Sequence, residues 1–441
     1  MFFKLTRAKL AIRRGDFLRA LQIGGNDLAI LSRLGLHLSV IGRRQFAKTR
    51  RDRIAVLASL AEMGEIDQVL TQADDVIEKS DVAARASLAL ALSRWNPACG
   101  ISLAPPAARL ERAAILLAMG DADLAAKAIG DIDIAANPRA QAIAAGIATR
   151  RGENVAARRL FADLCGRNGA FFIDVFDEGP LNLYAFRPAL TQKSGGPLVS
   201  VVMAARDASG TINAAISSVL NQSWRKLELI VVDDLSGDRT AAVAAKAIGS
   251  DQRGRVMRLE KHAGPYGARN VGIAAATGGF VTFQDADDAS HPMRIEEAVR
   301  ALARNPQSKA HFSRLIRCNE HGLLVAPRVF PLIRANPSSL MVRREVFVEI
   351  GPFELAPFGA DIEFIGRIAA IFGANSVLRS RALRSIALAR PDSLTGSNIS
   401  GIADRRANGA RVAYYEDWFR RQARMDGVSA AYSPAVDQTS V

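Results

Sequence analysis

The sequence predicts an all-α segment followed by an α/β segment, and three observations carry that reading. From about residue 10 to 170 the chain is rich in Ala, Leu and Arg, nearly free of strand-like alternation, and broken by glycines after apolar stretches. Beyond residue 198, short β-branched runs alternate with helical stretches, and runs such as LVSVVM and LELIVV are apolar throughout. Continuous apolar runs indicate strands buried on both faces, hence a parallel sheet covered by helices. Between the two segments, residues 177–197 hold Gly179, Pro180, Pro188, Gly195, Gly196 and Pro197, which interrupt any regular element and mark a linker.

The N-terminal residues come first in the chain and carry most of its charge. Residues 1–51 hold twelve Lys and Arg against Asp16 and Asp27, so +10 of the formal +14 sits there. Phe2, Phe3, Leu5, Leu10 and Ile12 are interleaved with these cations. Such an arm suits peripheral contact with an anionic membrane, each cation adding up to ~1 kcal/mol, and it equally suits a solvated helical face. No Gly-aromatic pattern or zinc module accompanies the charge, which disfavours nucleic acid as a partner.

Residues 52–176 read as helices. Three stretches, around Gly64, Gly120 and Gly152, repeat one grammar: an apolar helix end, Gly, a polar residue, then a second amphipathic helix. Stacked helical hairpins of this kind resemble a degenerate tetratricopeptide array, a surface suited to a protein partner. The spacing is irregular, at 56 and then 32 residues.

Composition bounds the function classes. The 441 residues, 49% hydrophobic and 23% charged, suffice for two or three domains and exclude a disordered chain. Cys99, Cys165 and Cys318 lie far apart without metal-ligand spacing, which excludes a disulfide framework and points to a reducing compartment. No stretch reaches the ~18 apolar residues of a spanning helix. Lys4, Arg7, Lys9, Arg13 and Arg14 leave no uninterrupted apolar core for a signal peptide. The expected location is cytoplasmic, with the arm on the inner face of the membrane.

In the α/β segment, 198–400, strands are predicted at Leu198–Ala204, Leu227–Asp233, Arg255–Leu259 and Phe280–Gln284. Helices are expected to begin near Thr211, Arg239, Tyr266 and Pro292. Ligands of such sheets sit beyond the carboxyl ends of the strands. There the sequence places Arg206 to Ser209, then Asp233 to Asp238, then Gly264 to Asn270, and finally Asp285, Ala286, Asp287 and Asp288. Carboxylates gathered at one sheet mouth repel unless a cation occupies the gap, and hard divalent ions take such oxygen ligands. A metal-bound diphosphate satisfies both. The D-x-D pattern also occurs at Asp121 and Asp123 and at Asp131 and Asp133, where acids at helix turns are the plain explanation, so context rather than pattern singles out the tetrad.

Three blocks carry a resemblance: VSVVMAARDASGTINAAISSVLNQSWRKLELIVVDDLSGDRT, then GPYGARNVGIAAATGGFVTFQDADD, then GPFELAPFGADIEFIGRI. In this order they resemble the family 2 inverting glycosyltransferases, over about 200 residues. The resemblance implies a GT-A nucleotide-sugar fold with a mixed, mostly parallel sheet. It implies a nucleotide-sugar donor, UDP-linked, a divalent metal (Mg²⁺ or Mn²⁺), and a glycan or lipid-linked acceptor. It gives Asp234, with Asp233 beside it, the donor's base. It gives Arg269 the diphosphate, Asp288 and Asp287 the metal and donor with Asp285 in support, and Asp361 the role of general base. The residues alone leave alternatives open: Asp233 and Asp234 as helix caps, as Asp238 is read, Arg269 in a surface ion pair, and Asp361 as a helix N-cap.

Two departures qualify these roles. Arg206 follows the first strand where an aromatic or His often stands, and is assigned to the donor. Arg390 stands where many members carry a metal-binding His, and Arg ligates no metal. His262 and His291, nearest the predicted cleft, lack metal-spaced partners and are read as structural. A rival reading, built on these departures, is a non-catalytic nucleotide-binding adaptor. The C-terminal residues, 401–441, combine Arg405, Arg406, Arg411, Arg420 and Arg421 with Tyr414, Tyr415, Trp418 and Phe419 in a helix expected to pack on the domain, followed by a loose tail.

Overall fold

The computed structural model describes residues 27–33, 36–47, 49–77, 82–166, 173–174, 177–187, 195–390 and 405–423. The basic stretch 1–26 and the tail from Val428 lie outside the described residues. Residues 28–42, expected in the same basic arm, instead form two short helices, α1 (Leu28–Arg33) and α2 (His37–Gly42). Leu28, Leu31, Leu36 and Val40 are buried in the helical core, so this apolar face is turned away from any membrane. Among the described residues no helix is long and apolar enough to cross a bilayer.

The helical array is made of hairpins: α3 (Arg50–Glu62) with α4 (Ile66–Ile77), α5 (Val82–Ser93) with α6 (Pro97–Leu103), α7 (Arg109–Met119) with α8 (Ala122–Ile129), and α9 (Pro138–Arg150) with α10 (Asn154–Leu164). Three of the turns hold Gly64, Gly120 and Gly152 at φ of 80°, 95° and 74°, the left-handed conformation that a side chain resists. The second hairpin turns without glycine. Asn96 accepts from the Cys99 N–H, and Pro97 opens α6. This additional hairpin accounts for the irregular 56-residue interval. The two helical D-x-D pairs are turn acids: Asp121 caps α8 at the Leu124 N–H, 2.8 Å, and Asp131 pairs with Arg109 at 2.6 Å.

The α/β half begins with β1 (Val199–Ala205), α11 (Ile212–Leu220), β2 (Leu227–Asp233), α12 (Thr240–Ile248), β3 (Gly254–Arg258), α13 (Gly264–Ala274) and β4 (Phe280–Phe283). These match the predicted elements to within two residues. There follow β5 (Asp288–Ser290), α14 (Arg294–Arg304), β6 (Ala310–Cys318), β7 (Leu324–Val325), β8 (Arg334–Ala335), β9 (Met341–Arg343), α15 (Glu345–Ile350), α16 (Ala360–Phe372) and β10 (Val377–Leu388). The strand order is β3-β2-β1-β4-β9-β6-β10-β5, with β7 and β8 pairing on β6. The first four strands are mutually parallel, as are β6 and β10, while β9 and β5 run antiparallel to their neighbours. Val201, Val231 and Ile216 fill the core on one face of the sheet, and Val202, Ile230 and Phe364 fill the other.

A last helix, α17 (Arg405–Ala423), joins the two halves. Trp418 and Phe419 are buried with Leu57 and Leu60 of α3. Glu416 accepts from the Leu38 N–H at 2.6 Å, satisfying an orphan donor at the start of α2. Gln422 reaches Glu363 of α16 at 3.0 Å. The aromatic-basic face is therefore a packing surface.

Candidate active site

Register sets the stage. Ala205 lies beside Asp233 and Val202 beside Phe283, so the loops after β1, β2 and β4 leave one edge of the sheet together. Two of these loops hold side chains in the left-handed region: Asp207 at φ 47° and Leu235 at φ 56°. For Leu this costs ~1–3 kcal/mol, a strain that clusters at binding sites.

At this edge Asp234 is buried, and its carboxylate accepts from the Ala263 N–H at 2.7 Å and meets His262 Nδ1 at 2.8 Å. His262 in turn lies 2.5 Å from the Arg206 guanidinium. Asp233 is fully buried, pairs with Arg258 at 3.3 Å and accepts from the Ser236 hydroxyl. Neither acid caps a helix. Asp238 does serve the chain turn into α12, accepting from the Thr240 N–H at 2.8 Å and the Ser209 N–H at 3.0 Å. His262, read from sequence as structural, thus joins the Asp234 group. Its position just past the end of β3 was the available signal.

The acidic tetrad is divided by its partners. Asp285 pairs with Arg269 at 2.5 Å. Burial opposes its ionisation, yet Arg269 and a Ser338 hydrogen bond hold its pKa below the usual carboxylate value. Arg269 is not the surface cation of the alternative reading, since it is buried, with its guanidinium 5.2 Å from the Tyr266 ring centre. Asp287 meets Arg390 at 3.5 Å, and burial together with Asp285 pushes its pKa up. Asp288 is 5% exposed, and burial, Asp285 and Asp287 raise its pKa further.

Asp361 is the second residue of α16, which begins at Ala360, and is half-buried. The N-cap is Gly359 at φ 76°, so Asp361 is free of that duty and accepts from the Tyr266 hydroxyl at 3.0 Å. Glu363 faces elsewhere, paired with Arg367 at 2.9 Å. His291 is buried and accepts from the Met293 N–H, a structural role.

These contacts share one element. Ala263 touches Asp234, Tyr266 touches Asp361 and Arg269 touches Asp285, three positions spaced by three along the start of α13. Tyr266 and Arg269, three apart, present their side chains on one helical face, while Ala263, the residue before the helix, contributes its backbone N–H. Tyr266, expected only as a helix start, is the bridge between the acid of α16 and the tetrad.

Residues 200–351 match the family described as Glycosyl transferase family 2. Residues 200–351 form a family 2 glycosyltransferase domain. Its mixed sheet is of the GT-A kind. The Escherichia coli protein named UDP-Glc:alpha-D-GlcNAc-diphosphoundecaprenol beta-1,3-glucosyltransferase WfgD is 37% identical over 108 residues, 24% of this chain and 42% of that one. Succinoglycan biosynthesis protein ExoO of Rhizobium meliloti is 41% identical over 103 residues, 23% of this chain and 29% of that one. The chain spans less than half the length of these relatives. Glucosyl-3-phosphoglycerate synthase of Mycobacterium tuberculosis, solved with Mn²⁺ and UDP-glucose, overlays partially, with a TM-score of 0.38 and 19% identity over 52% of this chain and 80% of that one.

The donor set of the glycosyltransferase domain can be tested for a cation. Among the described residues no three His, Cys, Asp or Glu side chains converge as a ligand group. With Asp285 committed to Arg269, the half-buried Asp287 and the buried Asp288 remain, neighbouring carboxylates whose repulsion a divalent ion would relieve. Two carboxylates plus substrate phosphate oxygens is a common way to hold Mg²⁺. The residues therefore fit a cation that arrives with a diphosphate.

Proposed function

We propose that the protein transfers a sugar from a nucleotide-diphosphate donor, UDP-linked, to a hydroxyl of a glycan or lipid-linked acceptor, inverting the anomeric carbon by one in-line displacement. The observation that carries this reading is the start of α13, where the Ala263 backbone N–H and the Tyr266 and Arg269 side chains meet Asp234, Asp361 and Asp285 in succession. The names of the two curated relatives support a UDP-sugar and a polysaccharide setting.

In this reading Asp234, with His262 and Arg206 beside it, holds the nucleoside. Asp287 and Asp288 would hold the divalent ion and, through it, the diphosphate. When bound, the ion neutralises charge developing on the leaving diphosphate. Asp361 takes the proton of the acceptor hydroxyl as the oxygen attacks the anomeric carbon. Tyr266, donating to Oδ1, fixes that carboxylate and leaves its other oxygen for the proton. Arg269 pins Asp285 and is a positioning residue, since its guanidinium is already engaged.

The test is release of free nucleotide from a panel of nucleotide sugars with Mg²⁺ or Mn²⁺. Asp361→Asn is expected to lose turnover by ~10²- to 10⁴-fold, the usual worth of a positioned base. Activity equal to the wild type would remove Asp361 from the mechanism.

A further inference from the structure

The loop that leads into the proposed base is gripped from two sides. Residues 351–359 connect α15 to α16 and deliver Asp361. Near its start, Phe353 exchanges two hydrogen bonds with the Asn270 side chain of α13: its N–H donates to Oδ1 at 3.0 Å and its carbonyl accepts from Nδ2 at 2.9 Å. That clamp ties the loop to the helix that meets Asp234, Asp285 and Asp361.

From Glu354 onward the grip passes to α17, where Tyr414 spans the loop with one side chain. Its hydroxyl donates to Glu354 Oε2 at 2.7 Å, and its ring stands edge-on to Phe358 with centres 6.1 Å apart. The same ring lies 3.5 Å from the point where a Cβ on Gly359, the N-cap of α16, would begin. Arg421, about two turns further along α17, holds the same carboxylate, Nη1 to Oε1 at 2.8 Å. Arg411 lies 4.7 Å over the Phe358 ring, and the spacing of 411, 414 and 421 puts all three on one helical face. Gln422 donates to the Glu363 carbonyl inside α16 at 3.0 Å. With its residues pinned at 353, 354, 358 and 359, the loop fixes the direction in which α16 starts, and Asp361 with it. A catalytic group misplaced by ~1 Å loses about 10²-fold in rate.

The helical half fixes α17 in turn. Besides the Leu38 N–H, Glu416 accepts from the Ser39 hydroxyl at 2.6 Å, and Asn408 Nδ2 donates to the Glu62 carbonyl at the end of α3 at 3.0 Å.

We infer that Tyr414 and Glu354 are positioning residues for Asp361, and that α17 is the strut through which the helical half sets the base against the donor site. This deepens the transfer reading above and rests on it.

The test is steady-state nucleotide release by the full chain, with Tyr414→Phe made both in the wild type and in the Asp361→Asn background, and UDP calorimetry with Mn²⁺ on each protein. Phe keeps the ring against Phe358 and Gly359 and deletes only the hydroxyl. In the wild-type background kcat should fall about 10- to 100-fold, the worth of a hydrogen bond to a charged group, while donor KM, UDP affinity and binding stoichiometry stay within about twofold. In the Asp361→Asn background the same change should alter the residual rate by less than about twofold, because two groups acting through one carboxylate are not additive. Arg421→Gln, on the half-buried arm, carries the same test should the Tyr414 variant not fold. It should lower kcat by about 3- to 10-fold with UDP affinity unchanged, and Arg421→Lys should recover most of the loss. Glu416→Gln, at the other end of the strut, should also lower kcat by about 3- to 10-fold without moving UDP affinity. Wild-type kcat in Tyr414→Phe and Arg421→Gln, a fall by the same factor in both backgrounds, or a loss of UDP affinity or stoichiometry alongside kcat would overturn the inference. Failure of the wild type to bind UDP, or undiminished turnover by Asp361→Asn alone, would instead sink the transfer reading.

Discussion

Replacing Tyr266 with Phe isolates one interaction. The ring is buried, 5.6 Å from Phe353 and 5.2 Å from the Arg269 guanidinium, and Phe keeps both contacts while deleting only the hydroxyl. What is lost is the hydrogen bond to Asp361 Oδ1. A hydrogen bond to a charged group is worth about 1.5–3 kcal/mol. If Asp361 is the base, its orientation matters most as the acceptor proton leaves, so that loss falls on the transition state. The expected result is a fall in kcat of about 10- to 150-fold with donor KM held within about twofold. The assay is nucleotide release under saturating donor, with thermal melting in parallel, where a loss near ~1 kcal/mol moves Tm by a few degrees only. An unchanged kcat, or a loss confined to KM, would refute the claim that Tyr266 orients the base.

Three further outcomes follow from the same geometry. Asp288→Asn should raise Tm in the absence of metal, because an acid whose folded pKa is raised loses stability as pH rises through its unfolded value and does not regain it. In that variant Mn²⁺ should no longer raise Tm, while the wild type should respond to it; melting at pH 7 with and without Mn²⁺ checks both. Arg269→Met should destabilise the domain by about 3–5 kcal/mol, since it leaves Asp285 without its buried partner, and denaturant titration reads this directly. His37, buried and pushed down to about 4, protonates more readily unfolded than folded, so stability should fall as pH drops from 6.5 toward 4, by roughly 3 kcal/mol, and His37→Gln should lessen that fall.

The strands β1, β2 and β4 are legible because each is a continuous apolar run, and the acids following them can be placed at one sheet edge from the sequence alone. Strands β5 and β9, three residues each, were not, because their pairing is set by distant partners in β10, β4 and β6 and leaves no periodicity to read. The hairpin at Asn96 and Pro97 escaped for another reason: it uses a capping side chain where its neighbours use glycine. In the site, residue type alone pointed to the acids. The groups that orient them, Tyr266, His262 and the buried face of Arg269, depend on how α13 crosses the sheet edge, and only the fold determines that crossing. Asp361 was equally consistent with a helix cap until Gly359 was seen to occupy that position.

One titration bears most directly on whether these scattered acids form one donor pocket: UDP into the wild type and into Asp234→Asn, Asp288→Asn and Asp361→Asn, each with and without Mn²⁺. The wild type should bind UDP with an affinity that Mn²⁺ enhances. Asp234→Asn should weaken binding under both conditions, Asp288→Asn should lose the enhancement, and Asp361→Asn should bind as the wild type does. Absence of UDP binding, or wild-type affinity in both the Asp234 and Asp288 variants, would contradict the account.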